Sequence, residues 1–325
     1  MAIGSGIGSQ LGIATETTFN TSVTVTRFYE FTSENINYNK KTAVGLGLRA
    51  GGVVPRSNRR VVTTFDAGGD IMLDLPTKGL GLLLAQAMGT SPSAVTTTTG
   101  VYSYSFTLGD VYGRSFTAQV GVPQYGGTVT PKTVTGSKIQ SFELGVTNGG
   151  IATGKFTVDA ASMTTGTALA TASYSATANL FHFAQGALTV DGASVANVKD
   201  FTLTVDNALK QDRYNLGSSG AKAEQVINGF RKVSGKMTAE FTDTTFFTKY
   251  YGDTATALVL TFTGAVIANG QNEKLTITIP VVKFDADTPN VQSPGVIDLA
   301  MSFEAYDDGT NAPLTIAYQT SDATL

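Results

Sequence analysis

The chain has 325 residues, 42% of them apolar and 14% charged, which suits one large domain or two ordinary ones and excludes a typical disordered chain. A net charge of −3 gives no overall attraction to nucleic acid or to an anionic membrane, and the lack of Cys excludes disulfides and thiolate metal sites. No run approaches the roughly 20 apolar residues of a transmembrane helix, and the opening MAIGSGIGSQLG lacks a basic segment followed by an apolar one, so a soluble protein kept in a cytoplasm is expected.

Short alternating runs separated by Gly, Asn, Asp or Pro fill most of the chain, which is the grammar of strands and turns, so the fold is read as mainly β. Residues 1–20 are Gly-rich with scattered Ile3, Ile7, Leu11 and Ile13, too irregular for a strand of the chain's own core. They read as an arm that packs on a neighbour. A strand at 28–31 leads towards residues 42–62, which carry Arg49, Arg56, Arg59 and Arg60, with no acid between Glu34 and Asp66. That stretch is either a solvated loop or a long arm that docks on an acidic surface of another subunit. Next, Ile71, Leu73 and Leu75 alternate with Asp70, Met72 and Asp74. This strand runs into a helix that begins near Thr77 as cap, shows Leu80, Leu83, Leu84 and Ala87 on one face, and stops at Gly89. Residues 101–123 read as a β-hairpin turning near Asp110 and Gly113, followed by strands at 138–146 and 154–160.

Much of this recurs. Moving 166 residues on with no gap, Gly235 to Gly252 repeats the strand and helix. Met237, Ala239 and Phe241 take the inward positions, Asp243 replaces Thr77 as cap, and Phe246, Phe247, Tyr250 and Tyr251 supply the apolar face. Phe31, Asn37 and Lys40 match Phe201, Asn207 and Lys210 at an offset of 170. The hairpin's counterpart is 258–264 with 274–280 about an Asn269-Gly270 turn, and the endings 157–160 and 302–305 resemble each other. Residues 161–179 are small and polar and suit a linker, while 180–190 adds a strand with no evident twin. The organisation is therefore read as an arm (1–26), a β unit (27–160), a linker (161–179), a homologous β unit (180–310) and a tail (311–325).

Catalytic motifs are poor. Residues 149–155 outline a phosphate-binding loop, but Phe156 stands where Ser or Thr must reach magnesium, and the alternation that follows implies a strand where a helix is required. Residues 45–50 mimic a dinucleotide fingerprint without its strand-helix context. His182 lies alone between aromatics, so a metal site or a His-assisted nucleophile lacks its complement, and a partly buried strand histidine is the reading. Asp285 and Asp287 begin like a calcium loop that lacks the central Gly and closing Glu, so a turn is expected. No enzyme activity, cofactor or metal is assigned. The charge map says more: from Asp285 onward there are seven acids and no Lys or Arg. A basic loop early and an acidic region late would give head-to-tail subunits an orientation that weakens with salt.

Three stretches carry a resemblance: GSQLGIATETTF at 8–19, VTVTRFYEF at 23–31, and GDIMLD at 69–74 leading to GLGLLL at 79–84. They resemble the major tail tube proteins of long-tailed, non-contractile bacteriophages, particularly those of actinobacterial hosts. The resemblance implies β-sandwich or split-barrel units, each flanked by a short helix. It implies rings whose neighbouring strands join one inner β-barrel, with a long loop bridging to the adjoining ring. The stacked rings would enclose the tape-measure protein and later conduct DNA through the lumen without specific binding. Tail terminator and tail-tip proteins would be further partners, no membrane would be involved, and the virion tail would be assembled in the bacterial host's cytoplasm. Most members carry one tube domain and form hexamers; others carry two and form trimers with pseudo-sixfold symmetry, which the repeat favours. In that scheme Arg49, Arg56, Arg59 and Arg60, and the copy around Lys222, Arg231 and Lys232, are candidate ring-to-ring contacts. Other self-assembling β-rich surface, pilus or decoration subunits, and a carbohydrate-binding tail-tip domain, are the alternatives. The first group lacks a visible secretion or cleavage signal, and the last would need aromatic platforms or a carboxylate pair.

Overall fold

The computed structural model describes residues 5–175, 178–286, 288–291 and 294–325, and within them the chain is antiparallel β with two short α-helices. The first half contains β1 (Gln10–Thr15), β2 (Arg27–Tyr29), β3 (Asn37–Val44), β4 (Arg60–Asp74), α1 (Gly81–Met88), β5 (Val101–Thr107), β6 (Phe116–Pro123), β7 (Val129–Val146), β8 (Thr153–Ala160) and β9 (Ser162–Thr164). The second contains β10 (Gly186–Val190), β11 (Ala193–Val195), β12 (Val198–Asp206), β13 (Lys232–Glu240), α2 (Thr245–Tyr251), β14 (Thr256–Ala268), β15 (Gln271–Ala286), β16 (Asp298–Ala305) and β17 (Thr315–Thr320).

Each half contains one long strand that changes neighbours part-way. The early part of β7 lies between β6 and β9, with β1 and then β2 beyond β6; its later part pairs with β8, followed by β4 and β3. In the same way, the early part of β15 lies between β14 and β17, with β10 and β11 beyond β14. Its later part pairs with β16, followed by β13 and β12. The strands enclose a core into which alternate residues point. Ile71 and Leu73 of β4 and Met237 and Ala239 of β13 are each 1% exposed, as the alternation requires.

Two strand pairings join the halves. Later β7 accepts β12 on its second edge, Phe201 opposite Val146 through Asp206 opposite Ser141. The C-terminal β17 lies between β15 and β5, so a strand of the first half completes a sheet of the second.

Several elements differ from the sequence expectation. Residues 10–15 form a strand of the chain's own core, with Leu11 and Ile13 at 1% and 0% exposure. The strand is buried on both faces, so it does not alternate. Residues 101–123 are not a hairpin: β6 is occupied on both edges by β1 and β7, and β5 pairs instead with Val95–Thr98 and β17. Residues 138–146 continue from 129 as one strand, and 271–286 likewise runs unbroken through Pro280. The strand at 186–190 has a counterpart, because it takes on β14 the place that β1 takes on β6. Part of 161–179 pairs as β9, and 315–320 is a buried strand, with Ile316 at 0% exposure.

The match of Phe31 with Phe201 is out of step by three residues. Glu34 lies opposite Ile71 as Phe201 lies opposite Met237, so Ile36 is the counterpart of Leu203. Two glycines support this register: a Cβ on Gly69 would meet the Asn35 carbonyl oxygen at 2.5 Å, and one on Gly235 would meet that of Thr202 at 2.3 Å.

Helix α1 buries Leu83 and Leu84, with Leu80 at its N-cap, and ends at Gly89, whose φ of 77° suits glycine and where a Cβ would meet the Gly109 carbonyl oxygen at 2.6 Å. Thr77 does not cap it. Its hydroxyl accepts from the Asn179 N–H, and its carbonyl accepts from the hydroxyls of Tyr318 and Thr320, so it fastens the approach to the helix to β17. In α2 the Asp243 carboxylate does accept from the Thr245 N–H. Phe246 is buried against Phe284, while Phe247 and Tyr250 lie half-buried; Tyr251 is 82% exposed, contrary to its expected place on the inner face. A seven-residue helix turns too little of its circumference inward to bury a fourth aromatic.

Candidate assembly surfaces

Strands β3 and β4 leave the body as a ribbon. Every residue of β3 and the first four of β4 are exposed, and residues 45–59 form the tip, ending in a 3-10 turn at Ser57–Arg59. The tip displays Leu46, Leu48, Val53 and Val54, each at least 75% exposed, beside the exposed Arg49, Arg56, Arg59 and Arg60. None of these four guanidinium groups forms an ion pair with another described residue. The loop at 45–50 is the tip of this ribbon.

The corresponding loop of the second half, between β12 and β13, behaves differently. It folds back onto the first half, where Phe65 bridges to Ala221 and donates its N–H to the Gly220 carbonyl. Lys222 is 4% exposed; its ammonium donates to Asp159 at 2.6 Å and lies 3.6 Å from Asp66. Burial pushes the Asp159 carboxyl up against the pull of Lys222. Burial also acts on Asp66, but hydrogen bonds from Tyr214 and Asn39 and the charge of Lys222 outweigh it and hold that carboxyl below its ordinary value. Arg231 donates to the Asn207 side chain and to the carbonyls of Gly109 and Met88, and burial brings it down to about 10. Lys222 and Arg231 are therefore internal fasteners, not outward contacts. Lys232 is exposed and lies 3.5 Å from Glu304.

Lys138, which the sequence did not single out, belongs to the same network. It donates to Glu224 at 2.7 Å and to the carbonyls of Val111 and Gln225, and burial lowers its pKa in spite of Glu224. Its only sequence signal is a lysine inside an apolar strand, which normally implies a buried partner.

A family model described as phage tail tube protein matches residues 6–305. The chain belongs to the phage tail tube protein family. It is a structural subunit of the virion tail, and its family self-assembles into a tube with other tail proteins as partners. No curated protein matches the chain.

In this tail tube subunit the apparent nucleotide motif is a turn at Gly149 that runs into β8 from Thr153, where Lys155 pairs with Asp70 of β4 at 3.1 Å. His182 bridges to Ile151 at the start of a 3-10 turn. Among the described residues no group of three or more His, Asp or Glu could hold a metal ion. Several of the late acids are engaged within the chain. Asp298 pairs with Lys199, Glu304 with Lys232, Asp322 accepts from the Gly79 N–H, and Asp308 caps its own loop; Asp287 lies outside the described residues.

Proposed function

We propose that this tail tube subunit forms three-membered rings of pseudo-sixfold outline, and that the rings stack through the arginine ribbon into the tube of a long-tailed, non-contractile phage. The observation that carries the ring reading is the repeated order of strand pairing in the two halves, which gives one chain two similar blocks of sheet to place around an axis. Three such chains supply six blocks, and ring closure removes the sheet edges that a free monomer exposes. On this reading the halves are duplicated tube domains. The tube surrounds the tape-measure protein, is finished by terminator and tip proteins, and is assembled in the host cytoplasm.

For stacking, Arg49, Arg56, Arg59 and Arg60 remain the candidates, since Lys222 and Arg231 are engaged within the chain, and Lys232 is a secondary one. A ribbon whose tip exposes four aliphatic side chains and four unpaired cations is supported best by a partner surface beyond its own body. DNA transit requires no catalytic step, and a net charge of −3 suits a lumen that must not hold phosphates, because each cation bound to phosphate slows release.

Negative-stain electron microscopy of the unmodified chain across a concentration series tests both parts. Hollow tubes with three-fold symmetry are expected. The R56E/R59E/R60E variant is expected to keep its circular dichroism spectrum and thermal transition but to form no tubes. Normal tubes from that variant would sink the stacking role, and strict six-fold rings in the unmodified chain would sink the trimer.

A further inference from the structure

The two halves treat one edge differently. On later β7 the edge next to the end of β6 is filled by β12 from Ser141 onward. On β15 the equivalent edge begins after the last β14 pairing at Val282, and among the described residues no strand pairs with it at Asp285 and Ala286. At the far end of the first half, β3 stands where β12 stands in the second, and its outer edge is likewise unpaired. One junction is closed within the chain, and the two strand edges that would make the same junction again are both open.

Backbone polarity agrees at each edge. The Asn35 N–H donates to Asp70 of β4, so the alternate residues Ile36, Tyr38 and Lys40 turn their N–H and C=O groups outward. Ile36 is already satisfied, its N–H by the Glu34 carboxylate and its carbonyl by Lys132, which leaves Tyr38 and Lys40 for a partner strand. On the other edge the Tyr306 N–H donates to Val281, so odd-numbered residues of later β15 face β16 and Ala286 faces outward. In the closed junction the Asn207 N–H donates to the Gln140 carbonyl across the same line.

The side chains fit as well. In the closed junction Val205 lies opposite Phe142, and both are buried, at 0% and 1% exposure. The corresponding open positions are Tyr38, 42% exposed, and the half-buried Ala286. A small residue beside a large one fills the closed junction, and the open edges offer the same combination with sizes exchanged.

We infer that β15 of one protomer pairs antiparallel with β3 of a second copy of this chain, Ala286 opposite Tyr38 and Asp285 opposite Asn39. The inference rests on the reading of the chain as a ring-forming tube subunit and specifies which edges close the ring and in what register.

The absence of cysteine permits a direct test. Directly opposed residues of an antiparallel pair have Cα atoms about 4.5 or 5.5 Å apart, inside the roughly 4.4–6.8 Å span of a disulfide, whereas diagonal neighbours lie about 7–8 Å apart. Full-length Asn39→Cys/Asp285→Cys protein is assembled under reduction, oxidised and run on a non-reducing gel. Covalent oligomers are expected, with none from Asn37→Cys/Asp285→Cys, and mixing the two single variants should stop at covalent dimers. If the first pair impairs assembly, Tyr38→Cys/Ala286→Cys reads the same register.

Tubes that form without cross-links at either opposed pair, or with equal linking through Cys at position 37, would overturn the inference and leave the tube reading intact. An unmodified chain that forms neither rings nor tubes at any concentration counts against both.

Discussion

A lysine ammonium taken out of water costs several kcal/mol unless close counter-charges and hydrogen bonds compensate it, and this chain accepts that cost twice, at Lys138 and Lys222. Both bind the loop between β12 and β13 to the first half, through Glu224 and through Asp159 with Asp66. The sequence points to Lys222 but not to its partners, because Lys222 and Asp159 are 63 residues apart and lie in different halves. Hence Lys222, like Arg231, is turned inward, although the basic series that contains both reads as outward contacts.

Asp66 provides a test with a defined sign. Its native pKa lies below the ordinary 3.8, so its contribution to stability is complete above that value and lost as pH falls through the lower native one. Asp66→Asn should lower the urea midpoint at pH 7, and the difference from the unmodified protein should shrink as the pH is taken below 3.8. A difference that stays constant with pH would mean that the carboxylate charge contributes nothing.

Among the elements, those facing solvent on one side were legible. β4 and β13 alternate because one face is core, and α1 was recognisable from its leucine spacing and its terminal glycine. β1 was not, since burial on both faces removes the alternation that marks a strand. The false hairpin at 101–123 has a different cause: both runs are strands, but pairing is decided by which partners reach an edge, and β17 comes from more than 200 residues away. The three-residue slip between Phe31 and Phe201 arose because similar side chains were aligned where backbone approach sets the register.

Gly235 makes that last point measurable. A Cβ there would also lie 2.2 Å from the Phe303 ring, so β13 would have to move from both β12 and the core. Gly235→Ala is expected to cost about 1–3 kcal/mol, the usual range for overpacking, as a lowered thermal midpoint. Gly47→Ala in the ribbon tip, where nothing lies within 4 Å, should be close to neutral. Equal midpoints for the two variants would contradict the close approach of β12 to β13.

At the scale of the whole molecule, the segment read as a tail proves to be a staple. β17 lies between β15 of the second half and β5 of the first, Tyr318 donates to the Thr77 carbonyl at 2.6 Å, and Arg27 donates to the Thr324 carbonyl. Leu314, Ile316 and Tyr318 are each at most 1% exposed. Full burial of a large apolar side chain contributes about 1.5–3 kcal/mol, so three of them approach the roughly 5–15 kcal/mol of net stability of an ordinary domain. Ending the chain after Pro313 should therefore abolish cooperative unfolding, because the removed strand closes a sheet and connects it to β5, leaving two long unpaired edges. Thermal melts followed by near-ultraviolet circular dichroism would show a broad or absent transition, together with aggregation. A truncated chain that melts as sharply as the full one would mean that each half is complete without the staple, and that the β7–β12 junction and the buried contacts of the β12–β13 loop suffice to hold the halves together.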